Sequence, residues 1–124
     1  ARGGEGMNLS NYSSLEASQR LVAAGIVLET EAYWHCCNGF CELKSFKDGK
    51  INYPAPSMAE VWRELPEMIG ETGSKHYLTA QRLGGFTEVG YESAHHDGVL
   101  KSFEATNPTD ALIDLLIFVR KEKP

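Results

Sequence analysis

Hydrophobic residues near the C-terminus recur at helical spacing and predict a long helix that begins after Asn107. One face carries Leu112, Leu115, Leu116 and Val119, and it is widened by Ala111, Ile113, Ile117 and Phe118. Asn107 suits the cap of this helix and Pro108 suits its first position. The polar edge is narrow and consists of Asp110, Asp114 and Lys121. Such a helix must be covered by a sheet or by another protein, because little of its surface suits water.

Two shorter helices are predicted from capping motifs followed by apolar spacing. Residues 13–16 (Ser-Ser-Leu-Glu) have the form of a capping box, and a helix through Ala24 would end at Gly25. Its buried side would consist of Leu15, Ala17, Leu21, Val22 and Ala24. Residues 57–60 (Ser-Met-Ala-Glu) form a second capping box, and Pro66 ends the helix that follows. We expect one face of that helix to lie on the sheet, with Met58, Val61, Trp62 and Leu65.

Alternating apolar and polar residues predict strands in the first half of the chain, with one ambiguous segment. Residues 28–37 fit either a strand or two helical turns, and we favour a helical turn followed by a strand. In residues 40–46 apolar and polar side chains alternate clearly, which predicts a strand. Residues 47–50 (Lys-Asp-Gly-Lys) supply turn chemistry, so the chain is expected to return through residues 51–53 as a hairpin.

The second half of the chain contains the clearest strand pattern. Residues 76–83, 86–95 and 99–105 are separated by Gly84-Gly85 and by Asp97-Gly98, which predicts a three-stranded meander. Along the middle strand one side carries Thr87, Val89, Tyr91 and Ser93. The other side carries Phe86, Glu88, Gly90 and Glu92. This alternation is typical of a sheet with one face in water.

The order of helices and strands predicts an α+β fold, a two-layer sandwich with about three helices packed on one face of a mainly antiparallel sheet. The length of 124 residues suits one core better than two. We therefore assign residues 8–124 to a single domain. Residues 1–7, with three glycines before Met7, are interpreted as a cloning remnant or a disordered arm.

Composition excludes several classes of partner. A formal net charge of -5 and a pI near 5.3 argue against nucleic acid, because phosphate backbones are bound by basic surfaces. No apolar run approaches the length of about 20 residues that spans a bilayer, and we expect no membrane association. Three cysteines do not complete a disulfide framework, which favours a reducing compartment, and we predict a cytoplasmic protein.

Residues 35–41 (His-Cys-Cys-Asn-Gly-Phe-Cys) are the most chemically suggestive cluster, because thiolates and an imidazole in a turn are ligands for zinc. The candidate ligands are His35, Cys36, Cys37 and Cys41. His76, His95 or His96 would have to complete such a site. The alternatives are a cysteine-dependent enzyme that uses one of these histidines, and cysteines that serve as small buried apolar residues.

Three other polar motifs are weaker candidates for a catalytic or phosphate-binding site. His95-His96-Asp97-Gly98 is interpreted as a turn, since adjacent strand residues point to opposite faces. Glu88 and Glu92 are interpreted as a solvated face and, less favourably, as paired catalytic carboxylates. The glycines lack the Lys-Ser or Lys-Thr that follows a phosphate loop.

Exposed aromatic residues are candidates for partner binding. Tyr33 and Trp34 are adjacent, so a strand at this position would turn one of the two side chains outward. Trp62 is expected in the core.

The segments 21–26, 29–34, 53–66 and 107–119 together resemble small proteins of unknown function encoded by bacteriophages, prophages and mobile elements of gut bacteria. The resemblance implies an α+β sandwich and brings no cofactor or catalytic residue. We therefore expect a non-enzymatic accessory module without a cofactor that binds an unidentified protein partner, with a homodimer as one option for its assembly. The alternative is a small zinc-binding or cysteine-dependent enzyme centred on residues 35–41.

Overall fold

The computed structural model describes residues 11–46, 51–70, 75–93 and 99–122. The elements in chain order are α1 (Leu15–Ala23), β1 (Tyr33–Cys37), β2 (Phe40–Lys44), β3 (Ile51–Pro54), α2 (Met58–Glu64), β4 (Met68–Ile69), β5 (His76–Leu83), β6 (Phe86–Ser93), β7 (Val99–Ala105) and α3 (Pro108–Glu122). The strands form two antiparallel sheets, ordered β2-β1-β3 and β4-β5-β6-β7. The predicted α+β class is confirmed.

The C-terminal helix α3 is the centre of the main core, as its apolar surface predicts. Asn107 caps it, since its Oδ1 accepts a hydrogen bond from the backbone N–H of Thr109 at 2.8 Å. Leu115 and Leu116 are fully buried, and α3 packs on β6, β7, α1 and α2. The core cluster contains Ala17, Leu21, Ile26, Val61, Leu65, Val89, Tyr91, Ala111, Leu112, Ile113, Leu115, Leu116 and Val119. The covering of α3 is therefore supplied by this chain itself.

The predicted meander of β5, β6 and β7 is confirmed, and β4 adds a short fourth strand. Val89 and Tyr91 lie on the buried side of β6, as the alternation predicts. The Tyr91 hydroxyl donates a 2.7 Å hydrogen bond to the carbonyl of Pro66, and burial raises the pKa of Tyr91 to about 12. This bond ties the end of the α2 segment to the sheet. The predicted turn at Asp97-Gly98 lies outside the described residues.

The first helix begins one residue later than its capping motif predicts. Ser14, rather than Ser13, is the cap, and its side chain accepts from the backbone N–H of Ala17 at 3.1 Å. Ser13 is buried instead, with its hydroxyl 2.6 Å from that of Ser18. The predicted end at Gly25 is confirmed by its positive φ of 77°.

The predicted buried side of α1 is only partly correct. Ala17 and Leu21 are buried, whereas Val22 and Ala24 are exposed and Leu15 is partly buried. The reason is that Ser18 occupies the interior together with Ser13, which rotates the covered stripe away from the more apolar Val22.

The favoured helical turn before β1 is wrong, whereas the strand after it is confirmed. Residues 26–32 contain no helix. The carbonyl of the fully buried Ala32 instead accepts from the backbone N–H of Ala55 at 2.9 Å and from the Thr30 hydroxyl at 2.8 Å. The bond to Ala55 is non-local, and it holds the segment beside β3 at the point where the chain enters β1.

The predicted hairpin of residues 40–46 with residues 51–53 is wrong. In the structure β1 lies between β2 and β3 and pairs with both. The turn that connects β1 to β2 is Asn38-Gly39, with φ values of 53° and 78°. Positive φ at both central residues defines the hairpin turn that Asn-Gly favours. The predicted turn at residues 47–50 lies outside the described residues.

Candidate functional site

The predicted zinc ligands do not converge on one point. Cys36 and Cys41 face each other across β1 and β2 and form a disulfide, with their Cα atoms 4.1 Å apart. Cys37 is exposed, and His35 is buried with its ring 6.1 Å from that of Phe46. Within the described ranges no group of three or more His, Cys, Asp or Glu side chains is placed to hold a metal ion. In this arrangement Cys36 and Cys41 offer no thiolate to zinc or to a substrate.

The same disulfide bears on the predicted compartment. The three cysteines predicted a reducing setting, but Cys36 and Cys41 are bonded to each other. A disulfide is typical of oxidising compartments, so the cysteines no longer support a cytoplasmic location, which stays a prediction. None of the described helices has the length and hydropathy needed to cross a membrane. His95 and His96 lie outside the described residues, and His76 is partly buried on β5.

A local signal identifies this disulfide in the sequence. If Asn38-Gly39 is taken as a two-residue turn, Cys37 must pair with Phe40 and Cys36 with Cys41. In an antiparallel ladder every second pair of opposed residues is not hydrogen-bonded, and the Cα atoms of such a pair lie about 4.5 Å apart. The Cα atoms of Cys36 and Cys41 are 4.1 Å apart, which is close to this spacing. The turn was predicted at residues 47–50, which contain Asp48-Gly49, and the equally turn-forming Asn38-Gly39 was not considered.

Replacement of Cys36 and Cys41 together by serine is expected to lower the free energy of unfolding by about 2 kcal/mol, because the disulfide closes only a short loop. Urea unfolding of protein purified without reductant measures this. Cys37→Ser is the matched control and should leave stability unchanged, since Cys37 lies outside the disulfide. Alkylation without reduction should modify Cys37 alone; modification of all three cysteines would contradict the assignment.

Tyr33 and Trp34, the predicted partner-binding residues, are both partly buried on β1. The Trp34 indole N–H donates to the carbonyl of Ser13 at 2.9 Å. Its ring packs against a second, smaller cluster formed by Ala32, Leu43 and Ala55. Trp34 thus joins the three-stranded sheet to the segment before α1, and its role in partner binding stays a prediction.

An open apolar groove of about 680 Å³ lies between residues 11–12 and the outer side of α2. It is lined by Asn11, Tyr12, Ser57, Met58, Ala59, Trp62 and Arg63. Trp62 is 44% exposed and Met58 is 37% exposed. The prediction that Trp62 lies in the core is therefore wrong, and so is the prediction that the whole apolar face of α2 lies on a sheet.

The position of Trp62 follows from the geometry of a short helix. The predicted capping box is confirmed, since the Ser57 hydroxyl accepts from Glu60 N–H and the Glu60 carboxylate accepts from Ser57 N–H. With this start, Val61 and Leu65 point toward α3 and are buried. At about 100° per residue, Met58 and Trp62 fall on the margin of that stripe and face the groove.

The opposite wall of the groove is held by the N-terminal end of α3. The Asn107 side-chain amide donates to the carbonyl of Tyr12 at 2.9 Å, and the Thr109 hydroxyl donates to the carbonyl of Asn11 at 3.2 Å. The Asp110 carboxylate accepts from the backbone N–H of Ser14 at 2.8 Å. Tyr12 also bridges Ser57 in antiparallel fashion. The two walls are thus fixed relative to each other.

Charges of both signs lie around the groove. Burial, reinforced by the nearby carboxylates of Glu31 and Glu60, raises the pKa of Tyr12 above its ordinary value, so its phenol stays neutral. The Glu60 carboxylate also accepts a hydrogen bond from Glu31 N–H at 3.1 Å. Arg63 is the charged residue among those that line the groove.

A second, smaller cavity of about 200 Å³ lies on the outer face of the four-stranded sheet. Glu88 and Glu92 both line it, with Gly90 between them and Thr79 and Ser102 beside it. Glu88 accepts a 2.8 Å hydrogen bond from the Gln81 side chain, as a polar sheet face would provide. The interpretation as a solvated face fits this placement better than paired catalytic carboxylates.

Comparison with known proteins does not assign this site. The sequence matches no protein-family model, and no curated protein or solved structure is significantly similar to it. The resemblance to phage and mobile-element proteins therefore stays a prediction.

Proposed function

We propose that this protein is a non-enzymatic interaction module of the phage or mobile-element accessory type, and that it binds a segment of a protein partner in the groove beside α2. The observation that carries the proposal is the pair of large apolar side chains, Met58 and Trp62, that face this groove with 37% and 44% of their surface exposed. Tryptophan, tyrosine and methionine are enriched where proteins bind one another.

The shape of the groove supports a protein segment as its occupant. Its volume lies within the range of about 300–1,000 Å³ that is usual for binding sites. A small-molecule site usually encloses most of the surface of its ligand, whereas this groove is open to solvent. A peptide segment fills such a groove with a few side chains and continues along the surface.

The fixed walls also favour binding. Hydrogen bonds from Asn107 and Thr109 hold the backbone of Asn11 and Tyr12, and the capping box holds the start of α2. A pre-organised site loses little conformational freedom when a partner binds, which leaves more of the contact energy as affinity.

Trp62→Ala is expected to weaken partner binding by roughly thirtyfold or more, because a tryptophan at the centre of an interface often contributes about 2 kcal/mol or more. The measurement is selection of short random peptides displayed against the full chain, followed by titration of the enriched peptides. The stability of the variant should change little, since the Trp62 side chain is not part of the main core.

Tyr77→Ala is the matched control, because Tyr77 is an aromatic residue with a similar exposure of 42% and lies on β5 of the four-stranded sheet. It should bind the enriched peptides like the unmodified chain. Absence of enriched peptides, or equal binding by Trp62→Ala, would refute the proposed function. A dimer that dissociates on Trp62→Ala would identify a second copy as the occupant.

A further inference from the structure

We infer that the partner segment carries a carboxylate beside its apolar anchor, and that the Arg63 guanidinium binds this carboxylate at the edge of the groove. The inference rests on the proposed function and specifies the chemistry of the partner. Arg63 lines the groove directly after Trp62 in sequence, so one helix turn of α2 presents an aromatic ring and a cation to the same occupant.

The neighbouring glutamates on α2 are already engaged. The Glu60 carboxylate accepts hydrogen bonds from the backbone N–H groups of Ser57 and Glu31, at 2.8 and 3.1 Å. The Glu64 carboxylate accepts from Arg120 at 3.0 Å. Glu60, three residues before Arg63, would otherwise be a natural partner for it on the helix. The hydrogen bonds of Glu60 and Glu64 thus occupy both carboxylates with groups other than Arg63.

The guanidinium of Arg63 is available to bind a partner. It is exposed, and it forms no hydrogen bond or ion pair with any residue in the ranges that the structure describes. Two other arginines, Arg20 and Arg120, are held by Asp114 and Glu64. A guanidinium presents a planar fork of N–H donors that matches the two oxygens of a carboxylate.

The charges near the groove are of both signs. The phenol of Tyr12 is close to Glu31 and Glu60, whose negative charge disfavours an anion beside it. A carboxylate of the partner is therefore favoured beside Arg63 and disfavoured beside Tyr12. The formal net charge of the chain is -5, so the attraction of an acidic segment depends on Arg63 and not on the overall charge.

The test uses the peptides enriched from the random display library against the full chain. We expect them to share apolar residues with a nearby Asp or Glu. Arg63→Gln should weaken their binding by roughly tenfold or more, because hydrogen bonds between charged groups are the stronger kind. Binding should also weaken as salt is added. Arg82→Gln is the matched control, since Arg82 is an exposed arginine on β5 away from the groove, and it should bind normally.

A double-mutant cycle separates direct contact from general electrostatics. Replacement of the peptide Asp or Glu by its amide should weaken binding to the unmodified chain and have little further effect on Arg63→Gln. Independent, additive losses would overturn the inference. If Trp62→Ala abolishes binding while Arg63→Gln does not, the carboxylate inference is wrong and the proposed function stands. If no peptide depends on Trp62, both are wrong.

Discussion

Leu116→Asp is expected to leave the protein unfolded. Loss of a buried leucine side chain typically costs about 2–5 kcal/mol, and an unpaired carboxylate in the same place costs several more. The sum is comparable to the whole stability of a typical domain, about 5–15 kcal/mol. Leu116 has no exposed surface within this single chain, so the effect does not depend on a dimer. Loss of chemical-shift dispersion and of cooperative unfolding by circular dichroism measures the result.

Two control variants isolate the cause. Leu83→Asp makes the same chemical change at a leucine that is 38% exposed near the end of β5, and it should cost about 1 kcal/mol or less. Leu116→Met keeps the volume and should cost less than about 1.5 kcal/mol. A soluble, cooperatively folded Leu116→Asp protein would show that the core has been assigned incorrectly.

Gly90→Ala is expected to lower the free energy of unfolding by about 2–4 kcal/mol, a large effect for one methyl group. A Cβ atom at this position of β6 would collide with the backbone carbonyl of Lys101 and would lie 2.9 Å from the Cβ of Ser102. The obstacle is backbone on the neighbouring strand, so β7 would have to move away from β6. Urea or thermal unfolding measures the loss.

Gly85→Ala provides the matched control for Gly90→Ala. Gly85 lies in the turn between β5 and β6, and an added Cβ there meets no atom within 4 Å. Its replacement should therefore change stability by less than about 1 kcal/mol. Equal stability of the two alanine variants would mean that β7 does not approach Gly90 as closely as the structure shows.

The locally encoded parts of the fold were predicted well. Asn107 caps α3, Ser57 and Glu60 start α2, and the alternation along residues 86–93 gives β6 its buried side. Each of these signals depends on residues within a few positions of one another. Their physical cause, the satisfaction of backbone groups at a helix end or the alternation of a strand, operates before any distant segment is in place.

The pairing of the first sheet was predicted incorrectly for a non-local reason. Asn38-Gly39 and Asp48-Gly49 are both turn-forming dipeptides, and the choice between them decides which strand β2 joins. The structure uses Asn38-Gly39, which brings Cys36 opposite Cys41, while Ala55 binds Ala32 and places β3 on the other side of β1. A turn placed at Asn38-Gly39 would thus have predicted the disulfide from the sequence.

The groove was missed because its residues look like core residues in sequence. Met58 and Trp62 share helical spacing with Val61 and Leu65, and the pattern does not state how wide a stripe will be covered. Arg63 carries no signal by itself, since an exposed arginine on a helix is ordinary. Its significance follows only from the engagement of Glu60 and Glu64 elsewhere.

The sequence by itself determined where α2 and α3 begin, which residues of α3 are apolar and how β6 alternates, since these depend on neighbours along the chain. The tertiary structure decided which surfaces are covered. Leu116 is buried because β6, β7, α1 and α2 pack on α3. Trp62 stays 44% exposed because α3 covers only the side of α2 that carries Val61 and Leu65. Burial depends on how distant segments meet, and the proposed site exists because that covering is incomplete.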